Sequence, residues 1–355
     1  MAKILIKNGR VWDGERFIYA DVLSVGDKIA RIEQGISDDV DFVYDATGET
    51  VSAGLVDIHV HMRGISVDVY GTQAEMSCFP FGVTAAADAG SGQGDEALLD
   101  SFMVKSSVFV GVNIVDNHAS FKTTEKELLL YGDRVVGIKV YFDTTTSDVK
   151  DITPLREACD FAHQRGLCVM VHCSNSPVKM AEILDTLITG DILTHAFHGG
   201  VNNASEDDFE SIKAAKKRGI IIDTGMAGYV HTDFGVLSNA VRSNAMPDTI
   251  STDITRCSAY IRGGRYGMTT CMSIMRSLGM REEEIFRATT STPAKVLGRE
   301  NEWGRLAVGR RADIAVFDYT DCGFDMTDGS GNRIFGKKGY RCKLTVLDGE
   351  IVYRD

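Results

Sequence analysis

Two histidines two positions apart, His59 and His61, are the residues of this sequence best placed to do chemistry. They follow the apolar run Gly54-Leu-Val-Asp-Ile58, which predicts a buried β-strand. Side chains at positions i and i+2 of a strand point to the same face. Two imidazoles on one face at a strand end can bind a single metal ion, and neutral imidazole suits zinc or a similar divalent ion.

Four more residues with metal-binding or acid–base side chains stand near the ends of other apolar segments: Lys139, His172, His195 and Asp253. Each has a plainer explanation when taken alone. The lysine could reach a rim or form a buried salt bridge, the histidines could be core residues with satisfied nitrogens, and the aspartate could cap a helix. Their joint occurrence at strand ends, together with the first two histidines, favours one metal site.

Lys139 is the unusual member of this set. An ammonium beside two metal cations is electrostatically unfavourable, so a lysine in such a site must lose its charge. Reaction with CO2 would convert the amine to a carbamate, which is an anionic ligand able to bridge two ions. The sequence therefore predicts a carboxylated lysine if the site holds two metals.

The segment 53–302 alternates predicted strands and helices, which predicts an α/β protein with a (β/α)8 barrel. Active sites of such barrels lie at the carboxyl ends of the strands. A doubly wound open sheet is the alternative, but it more often carries a glycine-rich phosphate loop after its first strand, and none is present. The predicted strands are Leu55–Val60, Val83–Ala87, Val108–Val115, Val135–Tyr141, Cys168–His172, Asp191–His195, Ile220–Asp223 and Thr249–Thr252.

The helices predicted between these strands include Thr153–Gln164, Val178–Leu187, Ser205–Arg218 and Met268–Leu278. The two ends of the chain, 1–52 and 303–355, read instead as short strands separated by turn signals. Neither end has an obvious core of its own. We therefore expect a small β-sandwich domain built from both termini.

Composition limits the classes of partner. The net charge of −12 and the pI near 5.2 argue against binding to nucleic acid or to an anionic membrane. No apolar stretch reaches the roughly 18 residues of a membrane span, and the start lacks a signal-peptide pattern, so a cytoplasmic location is expected. The 8 cysteines show no Cys-x-x-Cys spacing, which is typical of reduced structural cysteines.

Several segments together resemble the amidohydrolase superfamily of metal-dependent hydrolases, and the resemblance covers nearly the whole chain. They are Lys7-Asn-Gly-Arg-Val11, Ala53-Gly-Leu-Val-Asp-Ile-His-Val-His61 and Gly304–Phe317. Within the superfamily, three further segments resemble a deacetylase-type branch close to the dihydroorotases: Gly190–His195, Pro247–Asp253 and Thr289–Leu297.

The resemblance implies two divalent ions, most readily zinc, that share a bridging hydroxide. Asp253 would take the proton of this hydroxide and return it to the leaving group. Two positions depart from the closest relatives: Tyr141 stands where arginine is expected, and Ala196 where cysteine is common. The ligands implied are His59, His61 and Asp253 for the more buried ion, His172 and His195 for the other, and carboxylated Lys139 between them.

Substrate contacts are less specified by the sequence. Arg63 completes a His-x-His-x-Arg pattern that in dihydroorotases binds the substrate carboxylate, although it could equally be a rim arginine facing solvent. The other candidates follow barrel strands or lie in loops where an ordinary structural role is the alternative: His118, Tyr141, His198 in a glycine-rich loop, and Arg265 in a basic loop.

These features favour a zinc-dependent deacylase that cleaves an amide or ester of a small N- or O-acylated carboxylic acid. The alternatives are a cyclic-amide hydrolase such as a dihydroorotase or hydantoinase, and, more remotely, a barrel relative without catalysis. The expected partner is a small anionic molecule, with no nucleic acid and no membrane. Relatives often form homo-oligomers, and the sequence leaves this open for the present chain.

Overall fold

The protein is described from a computed structural model, which covers residues 1–63, 71–90, 96–228, 230–261 and 266–355. Arg265 lies outside these residues. The strands among them are β1 Lys3–Trp12, β2 Phe17–Val25, β3 Lys28–Glu33, β4 Phe42–Asp45, β5 Thr50–Ala53, β6 Leu55–Val60, β7 Val83–Ala89, β8 Lys105–Val115, β9 His118–Ser120, β10 Val135–Tyr141, β11 Cys168–His172, β12 Ile192–Thr194, β13 Ile221–Ile222, β14 Ile314–Thr320, β15 Phe324–Thr327, β16 Arg333–Gly336, β17 Gly339–Leu347 and β18 Glu350–Arg354.

The helices of the same residues separate most of the central strands. They are α1 Ala74–Cys78, α2 Glu96–Ser101, α3 Lys122–Tyr131, α4 Thr153–His163, α5 Met180–Thr186, α6 Glu210–Lys217, α7 Phe234–Arg242, α8 Met268–Ser277, α9 Glu282–Thr289 and α10 Ser291–Val296. None of the helices in the described ranges has the length and apolar character that a bilayer crossing requires.

Strands from both ends of the chain form one domain, as the sequence predicted. The sheet order is β18-β17-β14-β5-β1-β2-β3, with β4 also paired to β1. The antiparallel pairing of β14 with β5, in which Ile314 lies opposite Ala53, joins the two termini. Buried side chains such as Ile6, Val22 and Val316 fill the core of this domain.

The central segment forms the predicted barrel. Seven strands, β6, β7, β8, β10, β11, β12 and β13, lie side by side in parallel. All residues of β6 and β7 are buried, which explains their almost continuous small and apolar sequences. Parallel strands of this kind bring their carboxyl ends to one face, where the candidate site lies.

The eighth barrel position is held by residues 249–254, which make isolated bridges rather than a full strand. Thr249 pairs with Asp223 after β13, and Ile254 pairs with Val60 of β6. The backbone N–H of Asp253 donates to the carbonyl of His59 at 2.8 Å. This segment closes the ring and places Asp253 beside the first histidine pair.

The prediction of one continuous helix from Ser205 to Arg218 is wrong. The stretch expected to be helical from Ser205 to Arg218 is a 3-10 turn at Ala204–Asp207 followed by α6. Asp208 and Phe209, between them, have positive φ values of 53° and 64°. The reversal turns the ring of Phe209 into the core, where it is 3% exposed.

The start of β12 depends on one buried carboxylate. Asp191 accepts hydrogen bonds from the backbone N–H of Val169 at 2.8 Å and of Ile188 at 2.9 Å, and Nε2 of His163 lies 3.0 Å away.

Asp191→Ala should lower the free energy of unfolding by about 2–4 kcal/mol, because two backbone donors lose their acceptor. Urea denaturation measures this. Asp185→Asn on the exposed face of α5 is the control and should change the value by less than about 1 kcal/mol. A loss in Asp191→Ala no larger than the control would contradict the assignment.

Candidate metal centre

The carboxyl ends of the barrel strands surround a cavity of about 150 Å³. Its wall combines imidazoles and one carboxylate with small hydroxyl side chains. The described lining residues are His59, His61, Tyr141, Thr146, His172, His195, Ala227, Val230, His231, Asp253, Thr255, Cys257 and Ser258. None of these described lining residues is a lysine or an arginine.

The first cluster of donors joins the end of β6 to the closing segment. Oδ1 of Asp253 lies 2.8 Å from Nε2 of His61 and 3.2 Å from Nε2 of His59. All three side chains are buried, and their donor atoms lie within 4.8 Å of one another. Burial and the charge of Lys139 lower the pKa of His59 to about 4, so its imidazole is neutral, which is the form that binds metal.

Asp253 provides a test of whether these residues fit a metal. Its Oδ1 is buried, and no described residue gives it a partner with hydrogen-bond geometry. Burial raises the pKa of this carboxyl, but its interactions with the His59 and His61 imidazoles outweigh that effect and leave the pKa below its usual range. A buried, ionised carboxylate oxygen that no described residue hydrogen-bonds, facing two imidazoles, fits a cation ligand.

Lys139 projects from β10 into the same cluster. Its side chain is fully buried, and Nζ lies 2.8 Å from Nε2 of His59. Burial lowers the pKa of Lys139 to about 8. Gly90 leaves room for this side chain, because a Cβ there would lie 2.9 Å from Cβ of Lys139. The amine therefore lies beside His59 in the first cluster with a lowered pKa, and the neutral amine is the form that reacts with CO2.

The second cluster contains three histidines. His172 ends β11, His195 follows β12, and His231 lies in the loop after β13; their donor atoms lie within 4.8 Å of one another. Oδ2 of Asp253 is 4.0 Å from Nε2 of His195, so this carboxylate stands between the two clusters. Burial lowers the pKa of His172 and of His195, and burial together with the adjacent His172 imidazole lowers the pKa of His231 to about 4.

A hydrogen-bonded chain orients His59 from behind. Nδ1 of His59 lies 2.9 Å from Oγ1 of Thr194, and that hydroxyl donates to Oδ2 of Asp223 at 2.8 Å. The Asp223 carboxylate also accepts from the hydroxyls of Thr249 and Ser251. A hydroxyl that donates to a carboxylate must accept from the imidazole, so Nδ1 of His59 carries the proton. Nε2 is thereby left with its lone pair toward the cavity.

Replacing the Thr194 hydroxyl with a methyl group should weaken metal binding while the side-chain volume stays nearly the same. Thr194→Val is expected to lower zinc affinity about 10–100-fold, because His59 loses the partner that fixes its ring and tautomer. Competition with a chromophoric chelator measures the affinity. Thr194→Ser keeps the hydroxyl and serves as the matched control. Wild-type zinc affinity in Thr194→Val would show that the chain from Asp223 does not orient this ligand.

Two of the clustered residues have unusual backbone conformations. His195 has φ 59° and Asp253 has φ 48°. Such conformations are unfavourable for residues with a Cβ and concentrate at functional sites. Gly225 supports the first of them: its carbonyl lies 2.7 Å from Nδ1 of His195, and a Cβ on it would lie 2.5 Å from that nitrogen.

The structure separates the predicted substrate contacts. Tyr141 lines the cavity, and its hydroxyl donates to the carbonyls of Ala89 and Gly90, each at 3.2 Å. His198 is buried outside the described cavity wall, where its Nδ1 accepts from the N–H of Gly200 at 3.1 Å. Tyr141 is therefore the one member of this pair that the structure brings to the cavity.

Two other predicted substrate contacts, Arg63 and His118, lie outside the described cavity wall. Arg63 is fully buried rather than at a solvent-facing rim; its Nε donates to Asp88 at 3.0 Å and its Nη1 lies 3.7 Å from Glu127. Asp88 also accepts from the backbone N–H groups of Met62 and Arg63, so the arginine forms part of a buried ion pair that holds the chain after His61. His118 is on β9, where its exposed ring lies 2.8 Å from Glu157.

Sequence reasoning missed His231 and the residues that orient the ligands. His231 follows Gly228 in a loop, with no strand pattern before it. The usable signal was its position after the seventh barrel strand, at the face where the other histidines lie. Asp143, whose Oδ2 is 3.1 Å from Nε2 of His172, and Asp223 were equally unmarked by any motif.

Comparisons with known proteins identify the family and agree with the fold. Residues 50–352 match the amidohydrolase family, whose members typically use metal ions. A deacetylase from Agrobacterium fabrum is 28% identical over 94% of this chain and 86% of its own. One from Enterococcus faecalis is 29% identical over 98% of both chains. A crystal structure of a dihydroorotase has a TM-score of 0.89 and 25% identity, with complete coverage of both chains. The chain belongs to the amidohydrolase family and is a hydrolase that acts on carbon–nitrogen bonds.

Proposed function

We propose that the protein removes the acyl group from a small N- or O-acylated carboxylic acid and that it does so with two divalent ions, most readily zinc. The observation that carries the metal assignment is Oδ1 of Asp253, which is buried, receives no hydrogen bond from a described residue and faces the imidazoles of His59 and His61. One ion would be held by His59, His61 and Asp253, the other by His172 and His195, with carboxylated Lys139 between them.

Two bound ions would act as Lewis acids that polarise the substrate carbonyl and lower the pKa of an attacking water. Asp253 is placed to move the proton. It lies between the two donor clusters, and its depressed pKa keeps the carboxylate ionised and ready to accept. The same group can then return the proton to the leaving nitrogen or oxygen.

The cavity wall fits a small substrate. Its volume of about 150 Å³ leaves room for few heavy atoms beyond an acyl group and a short acid. The described wall also carries the hydroxyl groups of Tyr141, Thr146, Thr255 and Ser258, which are groups able to donate to a substrate carboxylate. Relatives named deacetylase that align along nearly the whole chain support a deacylase over other amidohydrolases.

A cyclic-amide hydrolase is the second candidate, because a dihydroorotase is the fold neighbour with a TM-score of 0.89. In that case the arginine of the His-x-His-x-Arg pattern would anchor the substrate carboxylate. Here Arg63 is fully buried and paired with Asp88, outside the described cavity wall. This placement favours the deacylase.

Product release by zinc-loaded protein tests the proposal. The panel holds N-acetyl amino acids of both hands, O-acetyl hydroxy acids, dihydroorotate and hydantoins, with the chelated protein as the blank. Acetate from an acylated acid, without ring opening, is the expected result. Ring opening alone would overturn the deacylase and assign the cyclic-amide reaction.

A further inference from the structure

His231 completes a compact triangle of imidazoles at the second cluster. The ring centroids of His172 and His195 are 4.4 Å apart, and His231 lies 4.7 Å from the first and 4.4 Å from the second. The three residues come from separate parts of the barrel: the end of β11, the turn after β12 and the loop after β13. Three imidazole rings from separate elements converging on one point resemble a ligand set more than a packed aromatic core.

Each ring of the triangle is also held from outside through one nitrogen. Nε2 of His172 lies 3.1 Å from Asp143, and Nδ1 of His195 lies 2.7 Å from the carbonyl of Gly225. Nδ1 of His231 lies 3.2 Å from Oγ of Ser174. In each ring this contact occupies one nitrogen, and the other is the one available to an ion. Histidines that bind metal show this division between an orienting contact on one nitrogen and the ion on the other.

We infer that His231 is a third imidazole ligand of the second metal ion, beside His172 and His195. The inference rests on the two-metal site proposed above and goes beyond it, because that site assigned only two histidines to this ion. His231 is also the one member of the triangle that is not fully buried. It therefore stands on the side of the second cluster that a substrate must approach.

Measurements of metal affinity distinguish a role of His231 as a metal ligand from a role as a substrate contact. Wild type, His231→Ala and Ser174→Ala are loaded with zinc and equilibrated against a graded series of a competing chelator, and retained zinc is measured by mass spectrometry. His118→Ala, which removes an exposed imidazole at β9, is the matched control. Cobalt-loaded samples of the same proteins give visible spectra that report the ligand set.

His231→Ala should weaken the binding of one of the two ions by at least about 100-fold, since it removes a direct ligand where loss of an orienting partner already lowers affinity 10–100-fold. Ser174→Ala should weaken the same ion by about 10-fold. The cobalt spectrum should change in His231→Ala and stay as in wild type in His118→Ala.

Unchanged zinc affinity and an unchanged cobalt spectrum in His231→Ala would overturn the inference. A rise in KM alone in that variant would make His231 a substrate contact instead. These outcomes leave the proposed two-metal deacylase intact if the wild type holds two ions and releases acetate. Wild-type protein that holds no second ion would overturn both proposals together.

Discussion

Replacing Lys139 with alanine is expected to lower kcat/KM at least about 10³-fold and to leave one tightly bound zinc ion per chain instead of two. The reason is positional. Nζ of Lys139 lies 2.8 Å from Nε2 of His59, inside the first cluster, and the residue is fully buried. In the proposed site, Lys139 would carry the anionic ligand between the two ions, and its loss would remove several kcal/mol of the stabilisation that two ions would give to a transition state.

Two further substitutions distinguish a carbamate from a structural cation. Lys139→Arg keeps a positive charge, so a site that needs only a cation at this position would tolerate it, whereas a carbamate cannot form on arginine. Lys139→Met fills the space without charge. Small carboxylates such as acetate should restore part of the activity of Lys139→Ala, which has a vacated space for them, and not of Lys139→Met. Full activity in Lys139→Arg would contradict the assignment of a carbamate to Lys139.

Asp253→Asn is expected to lower kcat about 10²–10⁴-fold while the protein stays folded, because the amide keeps the shape of the side chain and removes the proton acceptor. Steady-state kinetics with the substrate found in the product-release panel give the value, and circular dichroism checks the fold. Asp160→Asn, an exposed carboxylate on α4, is the matched control and should keep wild-type kcat. A loss of less than about tenfold in Asp253→Asn would assign the proton transfer to another group.

The elements that carry the site could be predicted because their sequences leave little choice. The strands Leu55–Val60, Val135–Tyr141 and Cys168–His172 have the predicted bounds, since buried parallel strands read as continuous apolar runs that end at polar residues. Their polar ends meet at one face of the barrel by topology alone. That topology is why the sequence predicts His59, His172 and their neighbours at one site.

Other parts of the site depend on contacts that no local pattern encodes. His231 reaches the cavity through a loop whose course is set by tertiary packing. Thr194 can orient His59 only because its hydroxyl donates to the carboxylate of Asp223. The sequence predicts Arg63 at the cavity or the rim. In the structure its Nε and its backbone N–H both donate to the carboxylate of Asp88, a residue distant in sequence. Partners that are far apart in the chain decide these orientations, and a single sequence does not pair them.

A crystal structure of zinc-loaded protein, with anomalous data collected at the zinc edge, tests the central claim most directly. The expected result is two anomalous peaks in the cavity, one among His59, His61 and Asp253 and one among His172, His195 and His231, with carbamate density on Nζ of Lys139 between them. A single peak, or two peaks beside an unmodified lysine ammonium, would contradict the two-metal site bridged by a carboxylated lysine.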